Sequence, residues 1–382
     1  MKKIAFACTG EDIYSLIPVI NLLKYKTNIK PIICYPGNIF ISEQKYASLE
    51  KYKRIANCGE ILPKNILDGI DILDCDFLYK SAPDLLVFTA PFFINKNRLT
   101  REKLKHLGIQ TAYFPYATEF LGAGYDQWIV NLPHVHDVDI LFASSPLAVD
   151  NYKKNSKYFI NSLYCVGNPE LDILFNNKFR DGTSYWELKK FTNEHFCFLY
   201  APHWSIDKEP FWSSWLTLSP VLYKFFKERP ALRLILRPHP LMLSCTAEMT
   251  IELRLQVYRR LEELLSLPNI FLDKSASSLT AIALSDCLIS DCSSIIQKYW
   301  PTCKPIIVSE VDYGLANHIV RLCLEMFSDP DELPAAMLSY AYGDDSRKKL
   351  RQKYSLLFAG PFDGKCAQRM ANLLSSHVLE KE

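Results

Sequence analysis

Three short apolar runs constrain this chain more than any other feature, because each breaks abruptly into polar chemistry at its C-terminal end. Residues 196–204 read FCFLYAPHW, residues 232–240 read LRLILRPHP, and residues 287–294 read CLISDCSS. A short apolar run without polar alternation suits a strand buried on both faces, as in a parallel sheet covered by helices. In an open α/β sheet the ligand crevice lies just beyond the carboxyl ends of the strands. Three such strands deliver His203, then Arg237 with His239, then Asp291 with Ser293 and Ser294, to one edge.

The third run passes directly from strand to helix. Asp291, Ser293 and Ser294 suit an N-cap and first turn, and Ile295, Ile296 and Tyr299 give the next segment a helical apolar face. A helix start presents unpaired backbone N–H groups and the positive end of a dipole, which together seat a phosphate without a glycine-rich loop. The same residues are also ordinary helix caps. Convergence with two imidazoles and a guanidinium turns the reading towards a diphosphate. No His-x-x-x-His or Cys-x-x-Cys spacing accompanies them, so no metal is expected.

The same alternation runs through the chain. Strands are expected over 3–8, 30–35, 84–90, 109–114 and 138–143, then over 196–201, 232–237, 269–272, 287–290 and 305–308. Helical segments such as 12–25, 99–107, 211–229, 247–265, 346–358 and 364–377 separate or follow them. Repeated strand–helix alternation is the pattern of a doubly wound α/β sheet, and 382 residues suffice for two. The expected division is a first domain over 1–175, a polar linker over 176–195, a second domain over 196–360 and a C-terminal helix over 361–382. Packing of that helix back on the first domain is one arrangement open to it.

Lys and Arg total 44 against 42 Asp and Glu, a net charge of +2, which argues against a general nucleic-acid binder. The opening MKKIAFACTGED is interrupted by Glu11 and Asp12 before a signal peptide's apolar core is complete. No run reaches the roughly 18 apolar residues that span a bilayer. Twelve cysteines without pairing pattern read as reduced thiols in a cytoplasm.

Four stretches carry a resemblance. LYAPHW (199–204) is similar to the LYAPTWR motif of the CDP-glycerol glycerophosphotransferases that build teichoic acids and related capsules. RPHP (237–240) resembles that family's R-x-H-P motif, ISDCSS (289–294) its T-D-Y-S-S motif, and FDGKCAQR (362–369) its near-terminal DGKASER segment. They occur in the family's order over about 170 residues. YCVGNPELD (164–172) resembles the segment that closes the family's first domain.

The resemblance implies two Rossmann-like α/β domains facing across a cleft, the GT-B arrangement. It implies transfer of a phosphoalditol from a CDP-linked donor to a hydroxyl of a cell-surface polysaccharide or its lipid-linked precursor, with CMP leaving. The donor is a substrate, and no cofactor is implied. His203, Arg237, Ser293 and Ser294 would bind donor, and His239 would act in catalysis. Asp291, grouped with them at the donor seat, fits better as a cap or an orienter of His239, since a carboxylate beside a phosphate is repelled. A cytoplasmic protein at the inner face of the membrane, peripherally associated, is the matching location.

One stretch departs from the family. Where the family has a WHGTPLKKLG-like segment with a histidine acting on the acceptor hydroxyl, residues 109–122 read IQTAYFPYATEFLG and contain none. Glu119, His134 and His136 are the replacement bases to consider. Tyr113 and Tyr116 offer aromatic faces for an acceptor sugar. Two alternatives stay open: a GT-B glycosyltransferase using a nucleotide sugar, and a non-catalytic nucleotide-binding subunit of a polysaccharide assembly.

Overall fold

The computed structural model describes residues 1–7, 11–35, 71–74, 82–89, 101–115, 130–132, 135, 137–157, 162–180, 183–206, 212–239, 242, 249–275, 277–310 and 318–380. They form two compact units. The first comprises 1–119, 124–182 and 356–382, the second 120–123 and 183–355.

Among the described residues the first unit has a seven-stranded sheet in the order β3-β2-β1-β4-β5-β6-β7. Its strands are β1 (Lys2–Ala7), β2 (Ile29–Tyr35), β3 (Asp71–Asp74), β4 (Leu85–Phe88), β5 (Gln110–Tyr113), β6 (Ile140–Ala143) and β7 (Leu163–Cys165). Every pairing is parallel. The four residues of β4 and the four of β6 are all buried, as expected of strands covered on both faces.

Among the described residues the second unit repeats this plan with six parallel strands in the order β10-β9-β8-β11-β12-β13. These are β8 (Cys197–Ala201), β9 (Arg233–Leu236), β10 (Ile270–Leu272), β11 (Cys287–Ser290), β12 (Ile306–Ser309) and β13 (Glu325–Phe327). The chain begins in the middle at β8, winds outward through β9 to β10, then returns to the other side of β8 with β11. The order therefore reverses between β8 and β11, which is where a doubly wound sheet binds its ligand. The helix Trp215–Glu228 covers one face with Trp215, Leu218, Leu222, Phe225 and Phe226, a helical stripe packed with Phe198, Leu234 and Ile289 of the sheet.

The polar stretch 176–195, expected as the linker, contains the division between the units at 182/183, and it holds a short turn, Lys178–Arg180, and the helix Thr183–Thr192. The helix following β11 is also short, Ile295–Tyr299, and tightens at once into a 3-10 turn, Trp300–Thr302, because Pro301 has no N–H with which to continue it.

The final segment belongs to the first unit. Its helix Cys366–Leu379 packs against the helix Ile17–Lys24. Gly360 makes the approach, with φ +73° and a backbone so close to Ser144 that a Cβ would lie 2.0 Å from the Ser144 carbonyl oxygen. Asp172 of the 164–172 motif then caps the helix: its two carboxylate oxygens accept the Cys366 N–H at 3.0 Å and the Ala367 N–H at 2.8 Å. Arg369 reaches back to the Val166 carbonyl at 3.0 Å and to Asp363 at 2.7 Å. The two motifs, nearly two hundred residues apart in sequence, form one structural joint.

Candidate functional site

The ends of β9, β8 and β11 are level. Leu236 lies opposite Tyr200, and Ser290 lies opposite Ala201. Ser290 Oγ donates to the Ala201 carbonyl at 2.7 Å, tying the two strands together where the sheet order reverses. The next residues of each strand are thereby brought side by side.

Asp291 is the hub of this edge. It is fully buried, and its Oδ1 accepts the His203 backbone N–H at 2.9 Å. Its Oδ2 accepts the Ser214 N–H at 2.8 Å and the Ser214 hydroxyl at 2.9 Å. The Tyr200 hydroxyl lies 3.1 Å from Ser214 Oγ, and the Tyr200 ring stacks on Trp215 at 6.1 Å. Burial pushes the Asp291 carboxyl up to about 7 against this set of hydrogen bonds, which pull it down. Burial likewise raises the Tyr200 hydroxyl well above its ordinary range, with Asp291 adding to the effect. The grouping of Asp291 with donor-binding residues is thus corrected: with no exposed surface, it offers nothing to a ligand. It holds the backbone of His203, not the ring of His239, and staples the start of the helix Trp215–Glu228 to β11.

His203 is a neutral imidazole of fixed tautomer. Its Nδ1 accepts the Ser205 N–H at 3.1 Å, which leaves the proton on Nε2. Burial, and then the neighbouring His239, lower its pKa to about 3. Its ring packs edge-on against Trp212 at 5.2 Å, beside Trp204 at 5.5 Å and His239 at 6.1 Å. His239 in turn lies 6.5 Å from Trp204. Two imidazoles and two indoles therefore cluster at the ends of β8 and β9.

Ser293 and Ser294, half-buried, follow β11 at the start of the Ile295–Tyr299 helix. Ser294 occupies the N-cap position and makes no side-chain cap hydrogen bond. Within this first turn the Ile296 and Gln297 N–H groups donate to the Ser293 and Ser294 carbonyls, each at 3.2 Å, so any free N–H groups lie ahead of them. Arg237 has a partner that the sequence did not announce: its Nη1 donates to Asp273 at 2.5 Å and to Ser275 Oγ at 3.1 Å.

The acceptor side fares differently. Tyr113 is 1% exposed, its ring 5.1 Å from that of Phe88 in the first unit's core. Phe114 is equally buried. Tyr113 thus presents no face to a sugar, and the expectation that it stacks on an acceptor is corrected: it is the inward-facing end of a strand buried on both sides. Tyr116, Glu119, His134 and His136 lie outside the described residues. Among those described, Asp172, Asp363 and Cys366 bring ligand atoms within 4.8 Å of one another. The Asp172 oxygens already cap a helix and Asp363 pairs with Arg369, so the group reads as the C-terminal joint.

Sequence reasoning missed Ser214, Trp212, Asp273 and Ser275. Two signals were present: Ser213-Ser214 before an apolar helix is a capping pattern, and Asp273-Lys-Ser275 after a short apolar run is an Asx-turn pattern.

Comparison with known proteins follows the same lines. Residues 101–376 match the family described as CDP-glycerol:poly(glycerophosphate) glycerophosphotransferase. No curated protein sequence matches the chain. Among solved structures, a putative UDP-N-acetylglucosamine 2-epimerase from Listeria monocytogenes is similar with TM-score 0.66 at 13% identity, covering 100% of this chain and 97% of that one. The wall teichoic acid polymerase TagF is similar with TM-score 0.65 at 16% identity, covering 99% and 89%. A histidine-to-asparagine variant of that polymerase soaked with CDPG gives TM-score 0.62 at 15% identity, covering 100% and 89%. These likenesses show the fold, which is of the GT-B type.

Proposed function

The chain belongs to the CDP-glycerol:poly(glycerophosphate) glycerophosphotransferase family, and on that premise we propose that it moves glycerol phosphate from CDP-glycerol to a hydroxyl of a cell-envelope glycan or its lipid-linked precursor. The acceptor oxygen attacks the phosphorus distal to cytidine, the bond from that phosphorus to the bridging oxygen breaks, CMP leaves, and the hydroxyl proton passes to a base. Such a reaction needs positioning, stabilisation of the charge on the leaving phosphate, and that base.

The observation that carries this reading is the convergence of His203, His239, Ser293 and Ser294 at the reversal of the second unit's sheet. Ser293 and Ser294 hold the diphosphate through their hydroxyls and their own N–H groups. His203, neutral and with its proton on Nε2, acts as a hydrogen-bond donor to a phosphate oxygen and not as a cation. His239 stabilises the leaving phosphate or takes the proton, with Glu119, His134 and His136 the other candidates for the base. No helix among the described residues is long and apolar enough to cross a membrane.

Incubation with radiolabelled CDP-glycerol, UDP-sugars and a lipid-linked glycan acceptor tests the reading. CMP release that depends on acceptor is the expected result, and His239→Ala should slow it by about 100-fold or more. Release of a nucleoside diphosphate would mean glycosyl transfer instead, and donor binding with no turnover over any acceptor would mean a binding subunit.

A further inference from the structure

Arg237 and His239 stand two residues apart in one motif, yet the fold treats them oppositely. The His239 ring sits among aromatic rings at the strand ends, 6.1 Å from that of His203. The Arg237 side chain turns to the next strand, where it is 12% exposed and its ion-pair partner Asp273 is 5% exposed. Arg237 Nη1 donates to Asp273 Oδ2 at 2.5 Å and to Ser275 Oγ at 3.1 Å. The other Asp273 oxygen accepts the Ser275 N–H at 2.9 Å and lies 2.6 Å from its hydroxyl. Both ends are also fixed through the backbone: the Arg237 N–H donates to the Tyr200 carbonyl at 2.8 Å, and the Asp273 N–H to the Leu236 carbonyl at 2.9 Å.

An arginine held this way is a poor counter-charge for a phosphate. The carboxylate at hydrogen-bond distance cancels its charge, and a phosphate approaching the pair meets repulsion from Asp273 as well as attraction from Arg237. Separating the pair would leave a nearly buried carboxylate alone, which is costly. What the pair does secure is the start of a three-residue path: Arg237 is anchored, Pro238 has its φ fixed by its ring, and His239 follows, its carbonyl accepting the Met242 N–H at 2.9 Å.

We propose that Asp273 and Ser275 are positioning residues of this site, holding Arg237 as a neutralised clamp that sets the backbone leading to His239, and that Arg237 does not contact the donor phosphates. The turnover arm of the test rests on the function proposed above; the clamp itself does not. The rival arrangement, in which Arg237 leaves Asp273 to bind phosphate, has the opposite sign in one variant. Asp273→Asn would then liberate a cation and tighten donor binding.

The experiment compares wild type with Asp273→Asn, Arg237→Gln, the double variant and the milder Ser275→Ala. It measures the CDP-glycerol Kd by calorimetry, kcat and KM by CMP release, and the His239 ring titration by NMR of labelled histidine. A clamp predicts kcat lower by about 100-fold in each of the first two variants, the scale of a displacement near 1 Å. Donor Kd should stay within about twofold, and the double variant should be no worse than either single one, since the two act as one unit. The His239 titration should shift in both, and in the same direction, more weakly, in Ser275→Ala, which removes only a hydroxyl if the others fail to fold. Tighter donor binding by Asp273→Asn would overturn the proposal. So would a tenfold or greater loss of donor affinity in Arg237→Gln with the His239 titration unmoved. Should the wild type bind no CDP-glycerol, the proposed function fails, and the His239 titration still decides the clamp.

Discussion

Asp291 and His203 are joined by a hydrogen bond, and their protonation preferences run in opposite directions. Asp291 keeps its proton up to about 7 when folded, against an ordinary 3.8. The stability it contributes is complete below 3.8 and is lost as pH rises to about 7. His203 resists protonation until about 3 when folded, against an ordinary 6.5, so its contribution is present above 6.5 and is lost as pH falls towards 3. Between pH 4 and 6.5 each group imposes a slope of about 1.4 kcal/mol per pH unit, and the two cancel. Relative to wild type, urea midpoints of Asp291→Asn should therefore climb with pH across this window, and those of His203→Gln should fall. Parallel curves for all three proteins would show that neither group titrates as its surroundings dictate. The sequence placed both residues at one sheet edge, because a strand that breaks into polar residues names its own C-terminal end. It could not reveal that Asp291 faces inward. That depends on Ser214, 77 residues away, and on a level register of β8 and β11 that only the fold creates.

Elements were legible where their pattern was strong. β11 spans the expected residues, and β8 and β9 fall within a residue or so of them, because continuous apolar runs leave little doubt about their ends. β13 and β7, three residues each, were missed, since so short an edge strand shows neither alternation nor an apolar run. The helix Thr183–Thr192 was read as linker because its polar face dominates its composition. The most informative element is the last. The helix Cys366–Leu379 starts at Lys365, which supplies no side-chain cap, and Asp172 from another part of the chain takes that role with both oxygens. Asp172→Ala removes two buried hydrogen bonds to a carboxylate and should lower the stability of the first unit by about 2 kcal/mol or more. Asp172→Asn, which retains one acceptor, should lose less. Urea unfolding followed through peptides of the first unit checks this ranking, and equal losses would deny the cap its directional role.

At the scale of the whole molecule the chain builds its units out of order, opening the first, completing the second, and only then supplying the first unit's last helix. The consequence is a stability that depends on residues far from the early sheet. Met370, Leu374 and Val378 of the Cys366–Leu379 helix are buried, as are Ile17, Val19, Ile20 and Leu23 of the helix it packs against. Burial of each large apolar side chain is worth about 1.5–3 kcal/mol. Loss of the last helix thus withdraws an amount comparable to the roughly 5–15 kcal/mol that stabilises a whole domain. The second unit keeps its core in that truncation. Arg351, buried against the Cys303 and Cys323 carbonyls and paired with Asp345, lies before the division at 355/356 and stays with it. A chain ending at Ser355 should therefore lose amide protection in β1 and in the helix Ile17–Lys24, while β8, β9 and β11 retain theirs. Hydrogen exchange read by mass spectrometry separates the cases peptide by peptide. Uniform loss across both units would mean that they fold as one cooperative body, and full protection of β1 would mean that the returning helix contributes little to the sheet it covers.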